Sequence, residues 1–234
     1  MSDPSQRSDE GDEPLHAPFV PGRAKAPSPK NAPLTGIVLA GGRSRRYGKN
    51  KALVTLDGIP LIERVCSVLK LVTDSVIVST NDPELFRFLG LPTIRDRIPG
   101  LGPLSGIHAG LSVMPGEAAL FVACDMPHLN ADLIRFMAAS RGDADAVVPR
   151  VSGLPEPLHA IYTKTCFAPV SRAIKNGEHR IVSFFPDIRI QYIEENQIRR
   201  FDPNLDVFAN INRPEELQLA ETRAGLSPGD TPRE

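Results

Sequence analysis

The chain has 234 residues, a formal net charge of −1 and three cysteines, Cys66, Cys124 and Cys166, far apart and without a C-x-x-C pair. The near-neutral balance argues against a general nucleic-acid binder, and the odd, dispersed thiols argue against a disulfide framework or a zinc site. No stretch approaches the roughly 20 apolar residues of a membrane span and the N-terminus lacks the layout of a secretory signal, so a cytoplasmic protein with no membrane partner is expected.

Residues 1–33 hold seven of the 23 prolines and almost no apolar periodicity, so a disordered tail is expected there. A single domain should then run over 34–224, with a second short disordered tail at 225–234. Within the domain, short apolar runs predict strands at Gly36 to Leu39, Ser75 to Ser79, Thr93 to Arg95, Ala119 to Ala123, Ala146 to Pro149, His159 to Tyr162 and Ile188 to Ile193. Between them, helical spacing predicts helices at Leu61 to Leu71, Leu104 to Val113, Ala131 to Ser140, Thr165 to Lys175 and Pro214 to Arg223. Such alternation produces a three-layer α/β/α fold around a mostly parallel, Rossmann-like sheet, with ligands at the carboxyl ends of the strands.

Two strand ends carry chemistry. After the first strand stand Gly41 and Gly42, then Arg43, Arg45, Arg46, Lys49 and Lys51. Glycines there let backbone amides approach an anion, and five cations surround the same place, which suits a nucleotide triphosphate. A plain turn followed by a solvated basic loop would read the same way. Two familiar phosphate loops are excluded, because Ala52 follows Lys51 where G-x-x-x-x-G-K-[ST] needs Ser or Thr, and G-x-G-x-x-G is absent. At the second strand end, in LFVACDMP, Asp125 is placed to hold Mg²⁺ against phosphate oxygens, or to cap the turn ahead of the next helix. Asp96 closes the strand Thr93 to Arg95 with a similar ambiguity, facing either the metal or a neighbouring Arg.

Taken together, Leu39-Ala40-Gly41-Gly42, Arg45-Arg46-x-Gly48 running to Lys51, Gly58-x-Pro60-Leu61, Gly102-Pro103-Leu104-x-Gly106, Cys124-Asp125-x-Pro127, Gly177-Glu178-x-Arg180 and Asn210-Ile211-Asn212-x-Pro214-Glu215-Glu216 resemble the molybdenum cofactor guanylyltransferase family. That family belongs to the nucleotidyltransferases of the glycosyltransferase-A-like fold. The resemblance covers nearly all of residues 35–220.

What it implies is transfer of GMP from GTP to the phosphate of molybdopterin, or of its molybdenum-loaded form, with release of pyrophosphate and Mg²⁺ as cofactor. It implies Lys51 and Asp125 as catalytic residues, with Asp125 the metal ligand. Leu39, Ala40, Gly41, Gly42, Lys51, Ser79, Asp96 and Asp125 fall to the nucleotide, and Arg46, Gly102, Gly106, Arg180, Asn210 and Asn212 to the pterin. Upstream cofactor-synthesis proteins or chaperones of acceptor molybdoenzymes are the protein partners it suggests. Tyr47, Asn50 and Ser79 depart from the usual pattern, which holds Met, Asp and Asn there. The rival readings are a cytidylyltransferase of the same fold, whose turn usually reads Leu-Ala-Ala-Gly, and a non-catalytic nucleotide-binding module. Cys124, beside a carboxylate and without a base, reads as a small buried residue, and His108 as structural.

Overall fold

The structure, a computed structural model, describes residues 33–41, 50–98 and 100–211. The expected tails, apart from Pro33, and the expected helix at Pro214 to Arg223 lie outside the described residues. Strand β1 (Leu34–Leu39) is buried along its whole length, as an apolar run without alternation must be when helices cover both faces. A small hairpin of β2 (Thr55–Leu56) and β3 (Ile59–Pro60) follows. Helix α1 (Leu61–Val72) buries Ile62, Val65, Cys66 and Leu69, the face its spacing predicts.

The remaining elements are β4 (Ser75–Ser79), β5 (Thr93–Ile94), α2 (Pro103–Val113), β6 (Ala118–Ala123), α3 (Ala131–Ser140), β7 (Ala146–Val151), β8 (Leu154–Pro155), β9 (His159–Thr163), α4 (Phe167–Lys175), β10 (Ile190–Glu194) and the single turn α5 (Glu195–Ile198). The main sheet has the order β10-β7-β9-β6-β1-β4-β5, with β8 paired to β7. It is parallel except at β9, which runs antiparallel to both β6 and β7, and at the short β7–β8 hairpin.

Alternation along each strand sorts the core into two layers. Val38, Val76, Val78, Leu120, Val122 and Ile161 meet α1, α3 and Ile198 on one face. Ile37, Leu39, Ile77, Phe121, Ala160 and Tyr162 meet α2 and α4 on the other. Helix α2 lies unusually close to the sheet, and two glycines permit it. A Cβ on Gly110 would stand 2.6 Å from the Phe121 ring and 2.7 Å from Ile37, and one on Gly106 would stand 2.7 Å from Leu39.

Differences from the sequence reading are local. Predicted strands gain or lose one to two residues at their ends, and Ile188 caps a 3₁₀ turn at Ile181–Asp187 instead of starting β10. Lys164–Cys166 is a 3₁₀ turn leading into α4, so the expected helix from Thr165 opens at Phe167. The β2–β3 hairpin leaves no periodic signal, because two-residue strands carry no period. Its turn, Asp57–Gly58 with both φ positive, is nonetheless the Asp-Gly hairpin signal.

Candidate active site

Register brings the strand ends level. Ile94 of β5, Ser79 of β4, Leu39 of β1 and Ala123 of β6 are neighbours across the sheet. The ladder continues one step further, with Ala40 N–H donating to Ser79 O (2.9 Å), Thr80 N–H to Ile94 O (2.8 Å) and Cys124 N–H to Leu39 O (3.3 Å). The chains then part, and Gly41, Asn81, Asp96 and Asp125 leave the sheet along one edge. That divergence is why residues from four separate strands share a site.

Lys51 reaches this edge from a 3₁₀ turn (Lys51–Leu53) whose start is capped by Asn50, the Asn50 side chain accepting from Ala52 N–H at 3.0 Å. Its ammonium is ion-paired to Asp125 Oδ2. Behind Asp125, its carbonyl accepts from Ile211 N–H at 3.0 Å, and the Ile211 side chain packs with Leu56 and Leu61 under the hairpin. Asn210 therefore stands directly beside the Asp125 turn.

On the other flank, Asp96 is held reciprocally by Asn81. The Asn81 amide donates to Asp96 Oδ2 at 3.0 Å, and Asp96 N–H donates to Asn81 Oδ1 at 3.1 Å. Gly41 is exposed, and a Cβ on it would lie 3.9 Å from Asp96 Oδ2, so Gly41 and Asp96 face the same space. Ser79 is closed in at 2% exposure, and the missing Cβ of Gly106 would be 3.2 Å from its hydroxyl. Among the described residues the open polar group at the end of β4 is thus Asn81. Sequence reasoning missed it, although a Thr-Asn-Asp run directly after a strand was the available signal.

Gly102 caps α2 with φ +57° and ψ −139°, a backbone that favours glycine, and points the N-terminus of α2 at the edge. Gly106 is buried, with Leu39 and Ser79 against it. Arg180 is exposed beyond the end of α4, its carbonyl accepting from Ser183 N–H and Oγ–H. Because β9 is reversed, α4 climbs back toward the carboxyl edge, and that return carries Arg180 to the same side as Asp125. Gly42, Arg46 and Asn212 lie outside the described residues.

Cys124 is half-buried, not fully buried as expected; shielding of its thiol, helped by the Asp125 carboxylate, pushes it up to about 12, which keeps it inert. His108 stacks on Phe167 at 4.8 Å and shares a 3.2 Å hydrogen bond with Ser171, so its role is helix packing. Among the described residues no three His, Cys, Asp or Glu side chains gather as a metal set, and no helix is long and apolar enough to cross a membrane. Asp125 offers one carboxylate, which fits Mg²⁺, an ion that keeps several waters and takes its other oxygens from phosphates.

This geometry has known counterparts. A family model described as the MobA-like NTP transferase domain matches residues 36–190. A molybdenum cofactor guanylyltransferase from Desulfosudis oleivorans is 38% identical over 190 residues, covering 80% of this chain and 94% of that protein. The crystal structure of molybdopterin-guanine dinucleotide biosynthesis protein A from Archaeoglobus fulgidus superposes with a TM-score of 0.71 at 29% identity, over 81% of this chain and 98% of that one. A 4-diphosphocytidyl-2C-methyl-D-erythritol synthase from Anaerococcus prevotii, with a TM-score of 0.62 but 11% identity over 82% and 96% of the two chains, shares the fold alone. With sequence and architecture agreeing over the whole domain, the chain belongs to the molybdenum cofactor guanylyltransferases of the MobA-like NTP transferase family.

Proposed function

We propose that this chain transfers GMP from GTP to the terminal phosphate of molybdopterin or its molybdenum-loaded form. An acceptor phosphate oxygen attacks the α-phosphorus, the bond to the bridging oxygen breaks, and pyrophosphate leaves with that electron pair. The reaction asks the protein to align two anions and to neutralise the charge between them. The observation that carries the reading is the Lys51–Asp125 ion pair at the carboxyl edge, with the exposed Gly41 on the same edge.

In this reading Asp125 holds Mg²⁺, which when bound neutralises phosphate charge and polarises the phosphoryl group. Lys51, released from Asp125, turns its ammonium to the triphosphate. Gly41, exposed and lacking a Cβ, leaves its backbone open to the nucleotide, and Asp96, fixed by Asn81, stands ready to accept from the sugar or base. Arg180 and Asn210 lie on the acceptor side, Arg180 offering a guanidinium fork for an anionic group. The three cysteines are free, which suits a reducing cytoplasm.

The test is incubation with each of the four nucleoside triphosphates, Mg²⁺ and molybdopterin, reading pyrophosphate release. GTP should exceed CTP by at least about tenfold, a preference that roughly 1.4 kcal/mol supplies. Equal turnover of the two overturns the guanine assignment, and no turnover with any of them overturns the reaction.

A further inference from the structure

We propose that Glu156 reads the pterin ring of the acceptor, its two carboxylate oxygens accepting from the ring's N3–H and 2-amino group. This rests on the transfer reaction above and names a recognition residue for its acceptor.

Position comes first. Antiparallel pairing sets Val122 of β6 opposite His159 of β9, and Ala123 N–H donates to Leu158 O at 3.0 Å. Moving outward from that pair, one chain continues to Cys124 and Asp125 and the other to Pro157 and Glu156. Glu156 therefore stands at the carboxyl edge beside the Asp125 turn. It is on the far side of β6 from Gly41, Asn81 and Asp96, which belong to the ends of β1, β4 and β5.

Its backbone is fixed. Glu156 N–H donates to Pro149 O (2.9 Å) and Glu156 O accepts from His159 N–H (3.2 Å). Prolines on both sides restrict the chain further, and the Pro157 carbonyl is tied to the Tyr162 hydroxyl at 3.0 Å. A side chain on such a turn is presented from a rigid support, which is what a recognition residue requires.

Among the described residues the carboxylate has no partner. Glu156 is half-buried, and no described residue gives it a hydrogen bond or an ion pair. Burial alone raises its pKa. Other partly shielded carboxylates of the sheet ends are answered: Asp125 by Lys51, Asp145 by Thr165 and Arg189, and Glu194 by Arg150. The neighbouring cation is also committed, since Arg150 is bonded to Glu194 and lies over the Tyr192 ring at 4.5 Å. A half-buried acceptor keeps some contact with water, but a ligand that completes its burial without supplying a donor would make it costly.

A ligand that covers Glu156 must therefore bring hydrogen-bond donors, and preferably two side by side. A 2-amino-4-oxo ring presents such a pair, N–H and NH₂, at the spacing of a carboxylate's oxygens. Guanine and pterin both contain it. The residues expected at the nucleotide are on the opposite side of β6, which leaves the pterin for Glu156.

The experiment uses the whole chain as wild type, Glu156→Gln and Glu156→Ala. Fluorescence titrations in Mg²⁺ would compare 6-hydroxymethylpterin with 6-hydroxymethyllumazine, in which a 2-oxo group replaces the amino group and would face the carboxylate with a second acceptor. Wild type should prefer the pterin by about tenfold or more, both variants should lose that preference, and KM for molybdopterin should rise about tenfold while KM for GTP holds. A preference kept in Glu156→Gln, or a GTP KM that rises in step, overturns the proposal, as does a lower melting temperature with ring preference intact. Wild type that makes no pyrophosphate from GTP and molybdopterin, yet discriminates the two rings through Glu156, overturns the transfer reaction and leaves the recognition standing.

Discussion

Lys51 and Asp125, 74 residues apart, meet as an ion pair whose members are 14% and 18% exposed. Each thereby neutralises the other in a partly desolvated place where a lone charge is unfavourable. In the proposed reaction a metal-bound triphosphate would let both change partners together, the carboxylate holding the metal and the ammonium meeting phosphate, so that neither charge is left unanswered. The two removals should consequently differ in kind. Lys51→Ala should lower turnover about a hundredfold or more with the Mg²⁺ requirement unchanged, whereas Asp125→Asn should lower it as much and move the Mg²⁺ dependence to higher concentration. A Mg²⁺ titration of activity on both variants checks this, and near-normal turnover of either at saturating metal removes its role.

Asn81→Ala should raise KM for GTP several-fold with little change in melting temperature. The amide makes two hydrogen bonds to Asp96 at an exposed edge, so its loss frees the carboxylate to swing without opening the core. Steady-state kinetics beside a thermal melt would show the split, and a fall in stability with KM intact would assign the pair to structure.

Gly110→Ala should destabilise the domain by about 2 kcal/mol, since the added methyl must displace Phe121 and Ile37 in a packed layer. Gly106→Ala presses on Leu39 and Ser79, buried directly beneath the carboxyl edge, so it should impair nucleotide binding as well. Denaturant melts and GTP titrations on both variants test the contrast.

Acid sensitivity should trace to His159. Its ring is wholly buried, packs edge-on against Phe208 at 5.3 Å, and has neither nitrogen hydrogen-bonded among the described residues. Burial lowers its pKa from 6.5 to about 4. The unfolded chain thus binds the proton more readily, and the stability held by the neutral ring, present above pH 6.5, is lost as pH falls toward 4. That loss amounts to about 3 kcal/mol at most. Melting His159→Phe beside the wild type between pH 7 and 4 should give a shallower decline for the variant, and parallel curves would clear His159 of the effect.

Much of the frame was readable because burial on both faces leaves an unbroken apolar run, as in β1 and β6, and because chemistry placed after such a run, as at Asp125, has nowhere else to face. Lys51 was legible through the cations around it. Asn81 was not, because a single amide after a strand has no motif and acquires its meaning only when β5 brings Asp96 alongside. Glu156 was hidden likewise, since a lone carboxylate between prolines looks like an ordinary turn until its neighbours are known. The reversal of β9 leaves no trace in periodicity, yet 152–158 is too short for the dozen or more residues of a parallel crossover, so the spacing between strands already carried it.

That reversal divides the edge by construction. Asn81 sits on a connection that leads from buried β4 through the buried Phe86 to β5, so an altered length there would propagate into the packed layers. The tip of the β7–β8 hairpin, Ser152 and Gly153, hangs instead beyond the last strand pair, Val151 with Leu154. A segment of that kind can be exchanged as a cassette. Replacing it with loops of other sequence offers a way to present new phosphate-bearing acceptors to an unchanged GTP-handling frame.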